Sequence, residues 1–137
     1  MPDRVVLDSS IIAAIFLQDD DDSKRARTIV RSYDRITLDT AIAEIGNVAW
    51  KKTVLFGEDR TEMLSGLQDG INFIIGMCTM LKASDVAEDA YAVAVKSKIA
   101  FYDALFLAAA EKVQVPLLTL DKKLYAKAKS DRDIRLM

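Results

Sequence analysis

The stretch Arg4-Val5-Val6-Leu7-Asp8-Ser9-Ser10-Ile11-Ile12 decides the fold: a short apolar run stops at a carboxylate and two hydroxyls, and an apolar segment then resumes. So short a run has no readable period, and the β-branched Val5 and Val6 mark it as a strand. The chain then turns into a helix, which leaves Asp8 at the carboxyl end of the strand. Open α/β sheets place their ligands outside that edge. The function therefore depends on which other groups arrive there.

Working outward, 137 residues with 51% hydrophobic content suit one domain, residues 1–137, around one core. No apolar run approaches the roughly 20 residues that span a bilayer. Met1-Pro2-Asp3-Arg4 lacks the basic segment and cleavage site of a signal peptide, so a cytoplasmic protein is expected. The single Cys78, in the apolar run Ile74-Ile75-Gly76-Met77-Cys78, reads as a small buried hydrophobe and rules out a disulfide framework. The net charge of −2 gives no general attraction for nucleic acid. Cations do cluster at Lys24, Arg25, Arg27 and Arg31, at Lys51 and Lys52, and at Lys122, Lys123, Lys127 and Lys129. These are either solvated helix faces or phosphate contacts. The chain has no histidine, which removes imidazole bases, His-dependent triads and zinc sites built on imidazole. Acid–base or metal chemistry must then run on carboxylates.

Ser9–Leu17 reads as a short apolar helix. The run Asp19–Asp22 lacks the glycine and alternation of a calcium loop and reads as a turn, with Asp22 and Ser23 capping a helix over 24–33. Arg35-Ile36-Thr37-Leu38-Asp39 is a second short strand, with Asp39 as N-cap of a helix from Thr40 to about Leu55. At 100° per residue, Glu44 falls between an apolar arc (Ala41, Ile45, Val48, Leu55) and a polar row (Thr40, Asn47, Lys51). An acid on that margin is costly without a partner. Gly57 ends this helix, and Leu64, Leu67, Ile71, Ile74 and Ile75 recur at helical spacing in the next. They are either core or a homodimer face. A brief strand over 79–82 precedes a helix capped by Ser84-Asp85, with Glu88 completing a capping box. Phe101-Tyr102-Asp103 leads into Ala104–Ala110, apolar all round and so buried. Pro116 opens the strand Leu117-Leu118-Thr119-Leu120, which ends in Asp121 before a basic helix over 122–129, and Ile134–Leu136 forms an edge strand. Strands alternating with helices indicate an α/β domain with a mainly parallel, roughly five-stranded sheet.

In a parallel sheet the strands ending at Asp8 and Asp121 bring both acids to one edge. Period-2 alternation puts Thr119 on the same face as Asp121. Asp103, at the mouth of the buried helix, and Glu44, near the start of its own, reach the same edge. Each acid has a bland reading, as a cap or a half-exposed surface group. Caps do not explain Glu44, nor why two strands stop at Asp. Four carboxylates in one pocket repel unless a cation holds them, and oxygen-only ligation selects Mg²⁺ or Mn²⁺.

The phrases VVLDSSIIAAIFL (5–17), AIAEIGNVAWKK (41–52), FYDALFLAAAE (101–111) and PLLTLDKKL (116–124), in this order and spacing, resemble a PIN-domain ribonuclease. Within that family, size and phrasing resemble the VapC-type toxins of prokaryotic toxin–antitoxin pairs. The resemblance implies a three-layer α/β/α fold, with Asp8, Glu44, Asp103 and Asp121 as an acidic quartet binding Mg²⁺ or Mn²⁺. Ser9 takes the place of the hydroxyl after the first Asp, Thr119 that of the hydroxyl two before the last, and Asn47 supports the Glu44 position. It also implies cleavage of single-stranded or looped RNA, leaving a 3′-hydroxyl and a 5′-phosphate, and a small antitoxin whose tail covers the site. One departure is Lys112-Val113-Gln114, where relatives often have a glycine turn.

Rival α/β families fail on single residues. A haloacid-dehalogenase-type phosphatase needs an acid at Ser10, an adhesion-type metal site a serine at Ile12, and a receiver domain a lysine at Asp121. The alternative from another class is a PIN-like module that binds RNA or protein without cutting.

Overall fold

The computed structural model describes residues 3–137. Its sheet has five strands, all parallel: β1 (Asp3–Leu7), β2 (Tyr33–Leu38), β3 (Thr79–Leu81), β4 (Leu117–Thr119) and β5 (Ile134–Leu136), in the order β3-β2-β1-β4-β5. Val5, Val6 and Leu7 are fully buried on both sides of the pleat, which requires cover on both faces of the sheet. On one face α1 (Ser9–Leu17), α2 (Asp21–Val30), α3 (Thr40–Val54) and α4 (Arg60–Gly76) pack on one another. A second group pairs α5 (Ala87–Ser97) with α6 (Phe101–Val113), and α6 lies against β1, β2 and β4; α7 (Lys122–Ala128) packs beside β5. The core runs through β1, α1 and the wholly buried Ala104–Ala110 segment of α6.

The chain steps from β1 outward to β2 and β3, then returns to lay β4 and β5 on the other side of β1. The strand order therefore reverses between β1 and β4. This is the switch point where such sheets open a crevice at their carboxyl ends. Leu7 pairs with Leu118, so Asp8 and Asp121 leave the sheet at adjacent strands.

Several local expectations need correction. Asp20, not Asp22, caps α2: its carboxylate accepts from the Ser23 N–H at 3.0 Å, and the Ser23 hydroxyl oxygen accepts from the Asp20 backbone N–H at 3.3 Å. This capping box starts the helix at Asp21; the helix ends at Val30, and β2 begins at Tyr33. Asp39 stands before α3 without capping it; its carboxylate accepts from the Ala83 N–H at 2.9 Å, tying the end of β2 to the segment after β3. Ala83–Asp85 form a 3₁₀ turn, and α5 starts at Ala87 with no side-chain cap. In α4, Gly66, Gly70, Phe73 and Ile74 face the core, Leu67 and Ile71 are half-buried, and Leu64 and Ile75 are exposed. A Cβ on Gly66 would lie 2.3 Å from the Phe16 carbonyl oxygen, so glycine sets how closely α4 meets α1. Among the α2 cations, the Arg27 guanidinium donates to the Ile15 and Gln18 carbonyls at the end of α1, and Arg25 pairs with Asp22. These two are engaged within the fold, while Lys24 and Arg31 are exposed. Among the described residues, no helix is long and apolar enough to cross a membrane.

Candidate functional site

Asp8 is the residue on which the crevice closes. It is the N-cap of α1, and its Oδ1 accepts from the Ser10 N–H at 3.1 Å, the Ile11 N–H at 3.3 Å and the Ser10 hydroxyl at 2.5 Å. Its Oδ2 accepts from the Thr119 hydroxyl at 2.5 Å. The Ser10 and Thr119 oxygens also accept from the backbone N–H groups of Leu120 and Asp121, each at 3.0 Å. Two hydroxyls thus knit the end of β1 to the end of β4. Asp8 is only 5% exposed, and its pKa is pushed up to about 6. Burial is the main cause; the Ser10, Thr119 and Ile11 bonds oppose it, and the charge of Asp103 adds to it.

Glu44 lies one turn into α3 and is half-buried. Burial pushes its pKa up to about 7, with Asp103 and Asp8 adding to the rise and the Ser9 hydroxyl opposing it. Its Oε2 is buried and has no hydrogen-bond partner in the protein. Asp103, in the first turn of α6, is also raised, first by burial and then by Asp121, while Lys127 pulls it down. Asp121 is the N-cap of α7 and uses Oδ1 for the Lys123 and Leu124 N–H groups. The four acids form a chain of mutual influence centred on Asp103, which acts on Asp8 and Glu44 and is acted on by Asp121.

A cavity of about 570 Å³ opens between α3 and the start of α6. Ser9, Glu44 and Asp103 line it with Thr40, Ala43, Asn47, Val48, Ala100 and Tyr102; Asp8 and Asp121 lie outside its lining. Among the described residues, no three acidic, thiol or imidazole side chains are gathered closely enough to ligate one ion. The acids sense one another as charges without meeting, as expected of like charges with nothing between them. The donor set nevertheless suits a hard divalent cation: it is all oxygen, the buried Asp8 and the half-buried Glu44 have raised pKa values, and Glu44 Oε2 is unengaged.

The two serines divide the hydroxyl role. Ser9 sits on the Glu44 side, and Ser10 is the one bonded to Asp8. Ser10 was legible from capping geometry, since an N-cap carboxylate accepts from the second and third residues that follow. Tyr102 at the cavity was not singled out from sequence either. Cys78 is half-buried, and burial lifts its thiol to about 11, so it offers no thiolate.

The family model of the PIN domain matches residues 5–130. The chain is 31% identical over 127 residues to Ribonuclease VapC3 of Pyrobaculum aerophilum, covering 90% of this chain and 94% of that one. Its fold is similar to the crystal structure of PAE2754 from Pyrobaculum aerophilum, with a TM-score of 0.69 at 24% identity, covering 93% of this chain and 87% of that one. It is also similar to a toxin-antitoxin complex from Klebsiella pneumoniae, with a TM-score of 0.62 at 18% identity over 96% of this chain and 95% of that one. With a reversing parallel sheet, acids at its carboxyl edge and a family match over nearly the whole chain, this protein belongs to the PIN-domain family and is similar within it to VapC ribonucleases.

Proposed function

We propose that this chain is an endoribonuclease dependent on Mg²⁺ or Mn²⁺, the toxin of a toxin–antitoxin pair, acting in the cytoplasm through Asp8, Glu44, Asp103 and Asp121. The observation that supports the reading is the placing of Asp8 and Asp121 at the ends of adjacent strands, with Glu44 and Asp103 lining one cavity, where burial opposes the ionisation of Asp8, Glu44 and Asp103 and the buried Glu44 Oε2 is left without a partner. The VapC3 relative, a ribonuclease by name, supports it.

In this reading Ser10 and Thr119 hold the Asp8 carboxylate at the crevice between β1 and β4. Glu44 Oε2 is the free acceptor, for a cation or for a proton of the attacking water. Asp121 keeps Oδ2 clear of its capping bonds, and Ser9 supports Glu44. The divalent ion, when bound, would make water a better nucleophile at neutral pH and stabilise charge on the attacking and leaving oxygens. The water oxygen forms the new bond to phosphorus as the bond to the 3′-oxygen breaks, leaving a 3′-hydroxyl and a 5′-phosphate. Lys122 and Lys123 follow directly after Asp121, Lys127 lies further along α7, and all three are exposed and offer positive charge to an approaching phosphate chain.

Purified protein is expected to cleave structured RNA with Mg²⁺ or Mn²⁺, and Asp8→Asn or Asp103→Asn to lose more than the ~10–100-fold typical of supporting residues. Equal cleavage by wild type and both variants would point to a contaminant and sink the reading. The partners proposed are an antitoxin, as in the complex from Klebsiella pneumoniae, and a second copy of this chain. Trp50, Val54, Leu55, Phe56 and Leu64 leave an apolar patch exposed where α3 ends and α4 begins, in keeping with a protein partner. Sedimentation as a monomer at micromolar concentration would refute the homodimer.

A further inference from the structure

The cavity between α3 and α6 carries two chemically different kinds of lining. Glu44, Asp103 and Ser9 supply one. Ala43, Val48, Ala100 and Tyr102 supply the other, with Asn47 and Thr40 beside them. Thr40, Ala43, Glu44, Asn47 and Val48 share one face of α3 because they recur at three- and four-residue spacing. Tyr102, next to Asp103, is 65% exposed and lines the cavity, and the buried Thr40 hydroxyl has no partner in the protein. At about 570 Å³ the cavity lies within the ~300–1,000 Å³ of sites that hold small organic groups.

An apolar wall, an accessible aromatic ring and unspent amide and hydroxyl groups are what a nucleobase needs. The acids of the same cavity are where the reading above puts the phosphate. We propose that this cleft holds one unpaired base of the RNA strand, next to the scissile phosphate and stacked on Tyr102, with Asn47 and Thr40 facing its hydrogen-bonding edge. The proposal rests on the ribonuclease reading and adds how the strand is gripped. A base locked in a duplex stays stacked on its neighbours and cannot enter, so the cleft selects for unpaired nucleotides. Tyr102, Asn47 and Thr40 become the positions that set which base is preferred.

The test is fluorescence quenching of a short single-stranded oligoribonucleotide carrying 2-aminopurine, titrated with protein in Ca²⁺. Four proteins are compared: wild type, Tyr102→Phe, Tyr102→Ala, and Tyr91→Ala as a control at an exposed tyrosine on α5. Wild type, Tyr102→Phe and Tyr91→Ala are expected to quench the probe and bind alike. Tyr102→Ala is expected to lose the quenching and bind about tenfold more weakly. Unchanged binding and quenching by Tyr102→Ala, or no quenching by wild type, overturns the base pocket; a cleft that takes a protein tail instead gives that result. Cleavage of the same strand in Mg²⁺ is read in parallel. Cleavage that ignores Tyr102 removes the pocket and spares the nuclease reading. Quenching that needs Tyr102 without any cleavage removes the nuclease reading and keeps the pocket as a binding site.

Discussion

At the scale of single residues, Asp8 combines two roles that pull its proton affinity in opposite directions. Capping α1 and accepting from Ser10 and Thr119 favour the carboxylate, while burial favours the acid and prevails. Asp8 and Glu44 titrate near 6 and 7 when folded, against 3.8 and 4.5 as ordinary values. The native state therefore holds extra protons between about pH 4 and about pH 7, and stability falls as pH rises through that window. In EDTA, the urea midpoint of the wild type is expected to drop across this range, and that of Asp8→Asn to drop less; parallel profiles would contradict the assignment. Thr119→Val removes the donor to Asp8 and the acceptor of the Asp121 N–H in a fully buried place. It should cost about 1–3 kcal/mol in urea denaturation, the range for unsatisfied buried polar groups. Asp39 shows how little an acid at a strand end says by itself: its carboxylate is turned to Ala83 and serves only the backbone.

At the scale of elements, two junctions test the local reading. The C-cap of α6, Gln114, adopts a left-handed backbone with φ 58° and ψ 47°. The turn that relatives often make with glycine is therefore made here by a residue with a Cβ, at a steric cost. Gln114→Gly should stabilise the protein by roughly 0.5–1 kcal/mol, the steric relief less the added freedom of the unfolded chain. The α1–α4 contact makes the opposite demand. Gly66→Ala would push a Cβ against the Phe16 backbone and should cost about 1–3 kcal/mol, whereas Gly46, with nothing within 4 Å of a Cβ, should accept Ala with a gain of up to about 1 kcal/mol. Denaturation of both variants side by side checks this; equal effects would mean that α4 can slide away from α1.

At the scale of the whole molecule, the sheet reverses its order between β1 and β4 and so brings Asp8 and Asp121 out at adjacent strands, while Glu44 on α3 and Asp103 on α6 line a cavity together with Ser9. Mg²⁺ should raise the melting temperature, and more at about pH 7 than at about pH 5, since protons compete for the same carboxylates. A rise independent of pH would argue against a carboxylate site. Much of this architecture was legible in the sequence. Short β-branched runs, turn residues and a helix apolar all round encode strands, junctions and the buried α6 locally, because burial on one or both faces imposes its period on the residues themselves. The alternation of strands and helices determined a parallel sheet, and hence that Asp8 and Asp121 share an edge. What the tertiary structure alone decided lies in the long-range pairings: β1 beside β4, the Thr119 hydroxyl on Asp8, Asp39 turned to Ala83, and Tyr102 beside the cleft. Those depend on where a distant backbone comes to rest and which way a short polar side chain must turn to find a partner, and no local pattern carries that information.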